Sequence, residues 1–179
     1  MNIRTETIAD IAAIEALTYQ AFENHPHHPA GAKPNEQLII NRLRDTGALV
    51  LSLVAEHETD IIGHIAFSPV TICIGESEGE DKGRVASNWY GLGPVSVAPK
   101  HQRKGIGGQL ITTGITQIKA LGAQGVVLLG EPEYYSRFGF KADANLTLAG
   151  VPAKYFLILP LADTQSVPIG EVTYHSAFS

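Results

Sequence analysis

The stretch that decides the fold is residues 92–118, which read LGPVSVAPKHQRKGIGGQLITTGITQI. It begins with the β-branched residues Val95 and Val97 in alternation, and Pro99 then lacks the amide hydrogen that a continuing strand needs. Apolar residues follow at spacings of three and four, which predicts one buried face of a helix. These residues are Ile106, Leu110, Ile111, Ile115 and Ile118. The stretch therefore predicts a strand ending near Ala98, a glycine-rich turn and a helix.

The turn at residues 102–108 is suited to bind a phosphate. Gly105, Gly107 and Gly108 remove side chains where the first unpaired amide groups of the helix point outward, and the helix dipole adds partial positive charge there. A basic run precedes the glycines, and it consists of Lys100, His101, Arg103 and Lys104. A solvated loop could also carry such a run, but the adjoining glycines favour contact with a phosphate.

Two common phosphate-binding motifs do not fit this turn. A nucleoside-triphosphate loop needs Gly-Lys-Ser/Thr, whereas here Lys104 precedes Gly105 and Ile106 follows it. A dinucleotide fingerprint would need a third glycine where Leu110 stands, and the next acid, Glu131, is not at the distance expected for contact with a ribose. The turn therefore predicts a phosphate ligand of another kind.

Length and composition indicate one ordinary globular domain over residues 1–179. The net charge of −5 argues against broad nucleic-acid binding, although a local basic patch is compatible with it. The sequence contains no apolar run long enough for a membrane span and begins without a signal-peptide pattern. We therefore expect a cytoplasmic protein without a membrane association.

Residue patterns along the rest of the chain predict a mixture of strands and helices. We expect an opening strand at Ile3, a helix ending near Glu23, a second helix over 36–44, a hairpin over 49–74 with Pro69 at a bulge or edge, a strand over 125–130, and strands over 146–161 and 171–178. In the second helix the apolar residues are Leu38, Ile39 and Leu43. The order strand, helix, strand around the glycine turn predicts a parallel crossover, with the turn at the carboxyl end of the first strand.

The histidines and the single cysteine have structural explanations. His25, His27 and His28 lie among prolines, and no cysteine or acid pair completes a metal-ligand set, so an exposed loop is favoured over a metal site. His64 stands alone in an apolar strand, which is typical of a hydrogen-bonded structural group; a place in a pocket is the alternative. Cys73 lies in the apolar run VTICI, which predicts a buried thiol and not a nucleophile. The acidic segment 75–81 is expected to be a solvated loop.

The order of these motifs resembles the GNAT acetyltransferase superfamily. Residues 102–107, QRKGIG, resemble its pyrophosphate loop, and residues 135–140, YSRFGF, resemble its Tyr-x-x-x-Gly-Phe segment. Residues 128–132 and the tail at 170–178 are similar to a bacterial subfamily of predicted N-acetyltransferases. The resemblance implies an α/β (α+β) fold with a mixed, partly antiparallel central sheet flanked by helices. One departure is that Gly130-Glu131-Pro132 replaces the Asn and full helix that many members have before the tyrosine.

The resemblance also implies a cofactor and a binding surface for it. Acetyl-CoA would be the co-substrate, and no metal would be required. Main-chain groups of the splayed central strand would bind pantetheine and polarise the thioester, and the turn would bind pyrophosphate. The cofactor-binding residues implied in this way are Val95, Ser96, Val97, Gln102, Arg103, Lys104, Gly105, Ile106, Gly107 and Gly108.

Transfer of an acetyl group to an amine needs a proton donor for the departing thiolate and a proton acceptor for the amine. A phenol with a pKa of about 10 can serve a thiol whose pKa is about 8.5. Family position favours Tyr135 over Tyr134 as this donor; a core tyrosine packed under the cofactor is the alternative. Glu131 is the first choice as base, acting through water, although Glu131 and Glu133 could equally serve only to favour the start of a short helix.

Several functional questions stay open at this point. The acceptor would be an amine on a small molecule or peptide, and its identity is not encoded in a recognisable motif. A non-catalytic acyl-CoA-binding sensor or interaction module is the main alternative to an enzyme. An RNA-directed acetyltransferase toxin is a further alternative, which the negative net charge disfavours. A homodimer is compatible with the sequence, but no residue requires it.

Overall fold

The computed structural model describes residues 1–23, 31–74, 85–162 and 167–179. They form two compact units: the first comprises Met1–Phe67 and Gly93–Gly114, and the second comprises Ser68–Leu92 and Ile115–Ser179. The predicted histidine loop and the acidic loop at 75–81 lie outside the described residues, so both stay predictions.

The described residues include nine strands and four α-helices. The strands are β1 Asn2–Thr5, β2 Leu51–His57, β3 Asp60–Ile74, β4 Val85–Ala86, β5 Trp89–Val97, β6 Gly125–Leu129, β7 Leu146–Leu148, β8 Phe156–Pro160 and β9 Gly170–Tyr174. The helices are α1 Ile11–Phe22, α2 Glu36–Asp45, α3 Ile106–Ala120 and α4 Pro132–Tyr135. The boundaries of the two units fall within β3, β5 and α3, so each of these elements contributes residues to both units.

In the first unit, antiparallel strands pack against two helices. β1 pairs with β2, and β2 pairs with the first half of β3 across the two-residue turn at Glu58 and Thr59. Glu58 takes the left-handed conformation at φ 56°, which a tight turn requires. The helices contact each other, and their core side chains meet β2 in a cluster of Ile14, Ile40 and Val54. The predicted hairpin and the first two helices are thereby confirmed.

The buried face of α2 differs from the predicted one. Ile40 and Leu43 are buried together with the polar Gln37, whereas Leu38 is 42% exposed. The apolar run at residues 38–40 covers most of a helical turn, so periodicity alone could not tell which of its members would face α1. The helix ends as expected, because Gly47 follows it at φ 70° and its amide donates to the carbonyl of Arg44 at 3.1 Å.

In the second unit, two groups of strands enclose an apolar core. The start of β5 pairs in parallel with β6, and β6 pairs in antiparallel fashion with β8. The second half of β3 pairs with β4 and β9, and β9 pairs in parallel with β7. The core consists of Val70, Ile72, Trp89, Val127, Leu146, Phe156, Ile158 and Val172. β5 precedes α3 in the sequence and β6 follows it, and the two strands pair in parallel. The predicted crossover is therefore confirmed.

Other predictions for this part of the chain need correction. Cys73 is exposed, because β3 buries the alternate residues Val70 and Ile72 and turns Cys73 outward. Residues 146–161 do not form one strand, since a 3-10 turn at Ala153–Tyr155 separates β7 from β8. β9 ends at Tyr174, and a second 3-10 turn covers Ser176–Phe178. Pro69 is exposed, and the register shift of the hairpin instead leaves Ile62 of β3 without a partner in β2, opposite the step from Ala55 to Glu56.

Among the described residues, no helix is both long and apolar enough to span a lipid bilayer.

Candidate active site

The glycine turn follows directly from the end of β5 in the first unit. The Ala98 amide donates to the carbonyl of Ile62 at 2.9 Å, and Pro99–His101 form a 3-10 turn. The side-chain amide of Gln102 donates back to the carbonyl of Val97 at 3.1 Å. The loop is therefore tied to β3 through its main chain and to the end of β5 through a side chain, and such ties hold a loop in place on a rigid scaffold.

Backbone conformation explains the composition of the turn. Arg103 and Gly105 both lie in the left-handed region, at φ 59° and φ 83°. A Cβ at Gly105 would meet no heavy atom within 4 Å, so glycine serves the conformation there and not a close contact. Buried Ile106 anchors the first turn of α3, and the side chains of Arg103 and Lys104 are exposed. Two exposed cationic side chains thus directly precede the first amide groups of α3, and this combination is suited to an anion.

The end of β5 offers main chain to a ligand while its one polar side chain is engaged. Ser96 is buried, and its hydroxyl lies 3.0 Å from the hydroxyl of Thr18 on α1. Val95 and Val97 point to the other face and are half-buried. A role for these three residues would therefore fall to their amide and carbonyl groups, as the resemblance implies.

The β5–β6 ladder of the second unit stops before either strand does. Its register covers Trp89–Gly91 with Gly125–Val127. The next residues along the two strands, Leu92 and Leu128, form no pair with each other in this described part of the chain, although both belong to strands in the same unit. Leu128 pairs with Leu157 of β8 instead. The pairing of the two strands thus ends at Gly91 and Val127.

Tyr135 occupies the end of α4 and lies on a glycine. A Cβ at Gly130 would overlap the Tyr135 ring, so only glycine admits the ring at this place. Edge-to-face contacts join the ring to Tyr134 at 4.9 Å and to Phe140 at 6.0 Å between centroids. Burial, with a smaller contribution from Tyr134, raises the pKa of Tyr135 to about 12. The phenol is therefore protonated at neutral pH and can donate a proton.

Glu131 stands at the start of α4, where its carbonyl accepts hydrogen bonds from the amides of Tyr134 and Tyr135 at 3.0 and 3.1 Å. Both Glu131 and Glu133 are exposed. Glu131 therefore has a clear structural role through its main chain, and a role of its carboxylate as a base stays a prediction.

His64 has the structural role that the sequence indicates. It is fully buried on β3, and its Nε2 lies 2.8 Å from the hydroxyl of Ser52, which donates in turn to the carboxylate of Glu6. Burial lowers the pKa of His64 and so outweighs the opposing effect of Glu6. Burial acts to raise the pKa of Glu6, but hydrogen bonds from His64, Arg44 and Ser52 prevail and lower it to about 2. Neutral His64 thus donates a hydrogen bond from Nε2 to the hydroxyl of Ser52 within a buried polar network.

Within the described ranges, no three His, Cys, Asp or Glu side chains converge as metal ligands. The structure groups the turn with residues 93–97 in the first unit and places Tyr135 and Glu131 in the second.

Sequence reasoning missed Gly91 and Gly130, two glycines against which tyrosine rings pack. The available signal was a lone glycine within or just after an apolar strand, which often marks a close approach by another group.

Comparison with known proteins gives the class of this protein. The profile of the Acetyltransferase (GNAT) family matches residues 9–140, and the chain belongs to this family. The predicted family, the mixed α/β fold class and the prediction of an acyltransferase enzyme are thereby confirmed.

Individual relatives match along almost the whole chain. The uncharacterized N-acetyltransferase YhbS of Escherichia coli K12 is 33% identical over 184 residues, which cover 100% of this chain and 99% of YhbS. A GNAT family acetyltransferase from Brucella melitensis, solved in complex with acetyl-CoA, is 42% identical with a TM-score of 0.79 and coverage of 99% and 97%. The structure of Escherichia coli YhbS in complex with CoA has 33% identity, a TM-score of 0.82 and coverage of 99% and 91%.

Proposed function

We propose that this protein transfers the acetyl group of acetyl-CoA to a primary amine of a small molecule or peptide, by direct attack and without a covalent enzyme intermediate. The observation that carries the proposal is the turn at residues 102–108, which combines left-handed Arg103 and Gly105 with the open amides of α3. Two relatives of at least 33% identity were solved with acetyl-CoA or CoA, which supports the same ligand here.

The residues that would hold acetyl-CoA fall into two groups. The amides at the start of α3, with the exposed side chains of Arg103 and Lys104, suit the pyrophosphate. The main chain of β5 that follows its last pair with β6 at Gly91 includes Val95 to Val97, and it suits the amide groups of pantetheine. When bound, acetyl-CoA supplies a thioester activated toward attack by a neutral amine.

Tyr135 donates the proton that the departing thiolate of CoA takes up. As the new bond between nitrogen and the acetyl carbon forms, the bond from that carbon to sulfur breaks, and the phenol donates its proton to the departing thiolate. The raised pKa of about 12 keeps the phenol protonated at neutral and mildly alkaline pH. Ground-state loss of the Tyr135 proton therefore does not limit the reaction in that range.

Glu131 is our choice for the group that removes the proton from the attacking amine, acting through water from its exposed position. The amine loses its proton to this carboxylate, and the proton given by Tyr135 stays on the thiol of CoA. Transfer of the amine-derived proton through solvent from Glu131 to the Tyr135 phenolate then restores both groups. Residues 1–179 would act as one domain in the cytoplasm. A homodimer would need no change in these roles.

Calorimetric titration with acetyl-CoA tests the proposal, with adenosine diphosphate and acetate as separate controls. We expect saturable binding of acetyl-CoA at one site and much weaker binding of either control. A panel of amines is then screened by release of free thiol. No binding of acetyl-CoA would overturn the proposal. Tight binding without thiol release for any amine would favour the sensor alternative.

A further inference from the structure

Two buried hydroxyls link α1 to β5 within the first unit. The hydroxyl of Thr18 lies 3.0 Å from the hydroxyl of Ser96, and the two residues are 0% and 1% exposed. Either hydroxyl can be the donor. Since neither residue is open to solvent, loss of one hydroxyl would leave the other buried without a hydrogen bond. The contact therefore fixes one point of the helix against one point of the strand.

Packing alone does not explain the threonine at position 18. The other buried residues of α1 are the apolar Ile14 and Leu17. A valine would fill the same space without the cost of removing a hydroxyl from water. A threonine within a helix can also direct its hydroxyl to the carbonyl four residues earlier, but in the described part of the chain the Thr18 hydroxyl bonds to Ser96. The hydroxyl thus serves the contact with β5.

Ser96 lies between Val95 and Val97, whose main chain the proposed function assigns to pantetheine. Side chains alternate along a strand, so Ser96 points toward α1 while its two neighbours point to the opposite face. One rotatable bond with three staggered positions separates a serine hydroxyl from the main chain. A hydrogen bond that holds the Ser96 hydroxyl therefore also restricts the main chain on either side of it.

Two other hydrogen bonds hold the end of β5. The Ala98 amide donates to the carbonyl of Ile62 on β3 at 2.9 Å, and the Gln102 side chain donates to the carbonyl of Val97 at 3.1 Å. Gln102 is exposed, so water competes for the second of these bonds. Of the three hydrogen bonds, only the one between the hydroxyls joins two buried residues. It also joins the strand end to a helix, which the other two do not.

We propose that Thr18 is a positioning residue for acyl-CoA binding: through its buried hydrogen bond to Ser96, it holds the main chain of residues 95–97 where that main chain binds pantetheine. The inference rests on the proposed function, which brings acetyl-CoA to this strand. Thr18 acts through Ser96, because its own hydroxyl is buried and engaged. Loss of the Thr18 hydroxyl should therefore weaken contacts to the pantetheine part of the ligand and spare those of the glycine turn.

Calorimetric titration of the full chain with CoA and with adenosine diphosphate tests the inference, using the wild type, Thr18→Val and Thr18→Ser. Valine keeps the branched shape and removes only the hydroxyl. We expect Thr18→Val to weaken CoA binding by about 3- to 10-fold, the usual effect of losing one hydrogen bond. Adenosine diphosphate lacks pantetheine and should bind as it does to the wild type. Thr18→Ser keeps the hydroxyl and should restore most of the CoA affinity.

Ser96→Ala breaks the same hydrogen bond and should cause a similar loss of CoA affinity. The double variant Thr18→Val/Ser96→Ala should lose no more than either single variant, because the two residues act as a unit. The matched control is Ser52→Ala, which removes another buried, hydrogen-bonded hydroxyl of the first unit. It should lower the melting temperature without changing CoA affinity, measured at a temperature where every variant is folded.

Wild-type CoA affinity of Thr18→Val would overturn this inference alone, since the hydroxyl pair would then only stabilise the fold. An equal loss of affinity for adenosine diphosphate would also overturn it, because the effect would not be specific to pantetheine. If a single variant does not fold, the double variant gives the same test, since it leaves no buried hydroxyl unpaired. Absence of acetyl-CoA binding by the wild type would instead overturn the proposed function, and this inference with it.

Discussion

The glycine turn of the first unit and the tyrosines of the second unit have opposite electrostatic surroundings. Residues 102–105 of the turn are exposed, and the side chains of Arg103 and Lys104 add positive charge there. Tyr135 and the hydroxyl of Tyr174 are held in apolar surroundings that raise their pKa values. A phosphate bound at the exposed turn keeps part of its hydration. A buried phenol keeps its proton, because burial disfavours the charged phenolate. Under the proposed function, the turn would recognise the charged pyrophosphate and Tyr135 would handle proton transfer.

The largest effect is expected from removing the proton donor. Tyr135→Phe should lower kcat by about 100-fold or more, because an unassisted thiolate is a poor leaving group, while acetyl-CoA affinity should stay within about twofold of wild type. Thiol release and calorimetry measure the two quantities. Tyr134→Phe is the matched control and should retain activity. Full turnover by Tyr135→Phe would show that the phenol only packs.

A charge reversal within the turn should act on binding and not on chemistry. Gly107→Glu should weaken acetyl-CoA binding by about 10- to 100-fold, because its carboxylate repels and obstructs the pyrophosphate. The matched control is Gln109→Glu, which adds the same charge at an exposed position just beyond the turn. The loss should diminish at high salt to the extent that repulsion causes it. Unchanged affinity of Gly107→Glu would contradict a phosphate site at this turn.

A smaller effect on turnover is expected from Gly130→Ala. The new methyl group would overlap the Tyr135 ring and shift the phenol, lowering kcat by about 5- to 10-fold with little change in acetyl-CoA affinity. Because the glycine acts through Tyr135, the same substitution should add little in a Tyr135→Phe background. Equal losses in both backgrounds would show that Gly130 acts independently of the phenol.

Loss of a half-buried carboxylate in the first unit should affect stability without affecting catalysis. The pKa of Glu6, lowered to about 2, means that its stabilising contribution is present above about pH 4.5 and is lost as the pH falls toward 2. Glu6→Gln should lower the melting temperature at neutral pH by about 4 to 8 °C and flatten this acid dependence. Neutral-pH kcat and acetyl-CoA affinity should not change. A full acid dependence in Glu6→Gln would assign the transition to other carboxylates.

Much of the fold follows from signals that act over one or two residues. Pro99 ends β5 within two residues, and Gly139 at φ 90° closes the short turn after α4. Helix α3 has the buried face that the spacing of Ile106, Leu110 and Ile118 predicts. The turn that we assign to pyrophosphate was found in the same way, because glycines at a helix start are a local pattern.

The parts that could not be predicted depend on contacts between distant positions. The predicted burial of Leu38 and Cys73 is wrong, since both residues are exposed. Each lies in an apolar run, and such a run does not indicate which of its residues face a neighbouring element. The residues around Gly91 do not predict that a tyrosine ring packs on it, because that ring belongs to Tyr174, far along the chain.

The sequence by itself determined the family, the element order and the glycine turn at the start of α3, because these depend on backbone chemistry that proline, glycine and helix periodicity specify locally. The tertiary structure alone decided where the pairing of β5 with β6 ends and which hydroxyls are buried. Strand pairing and desolvation are the physical reason, since both depend on which remote residues pack together and neither is a property of a single segment.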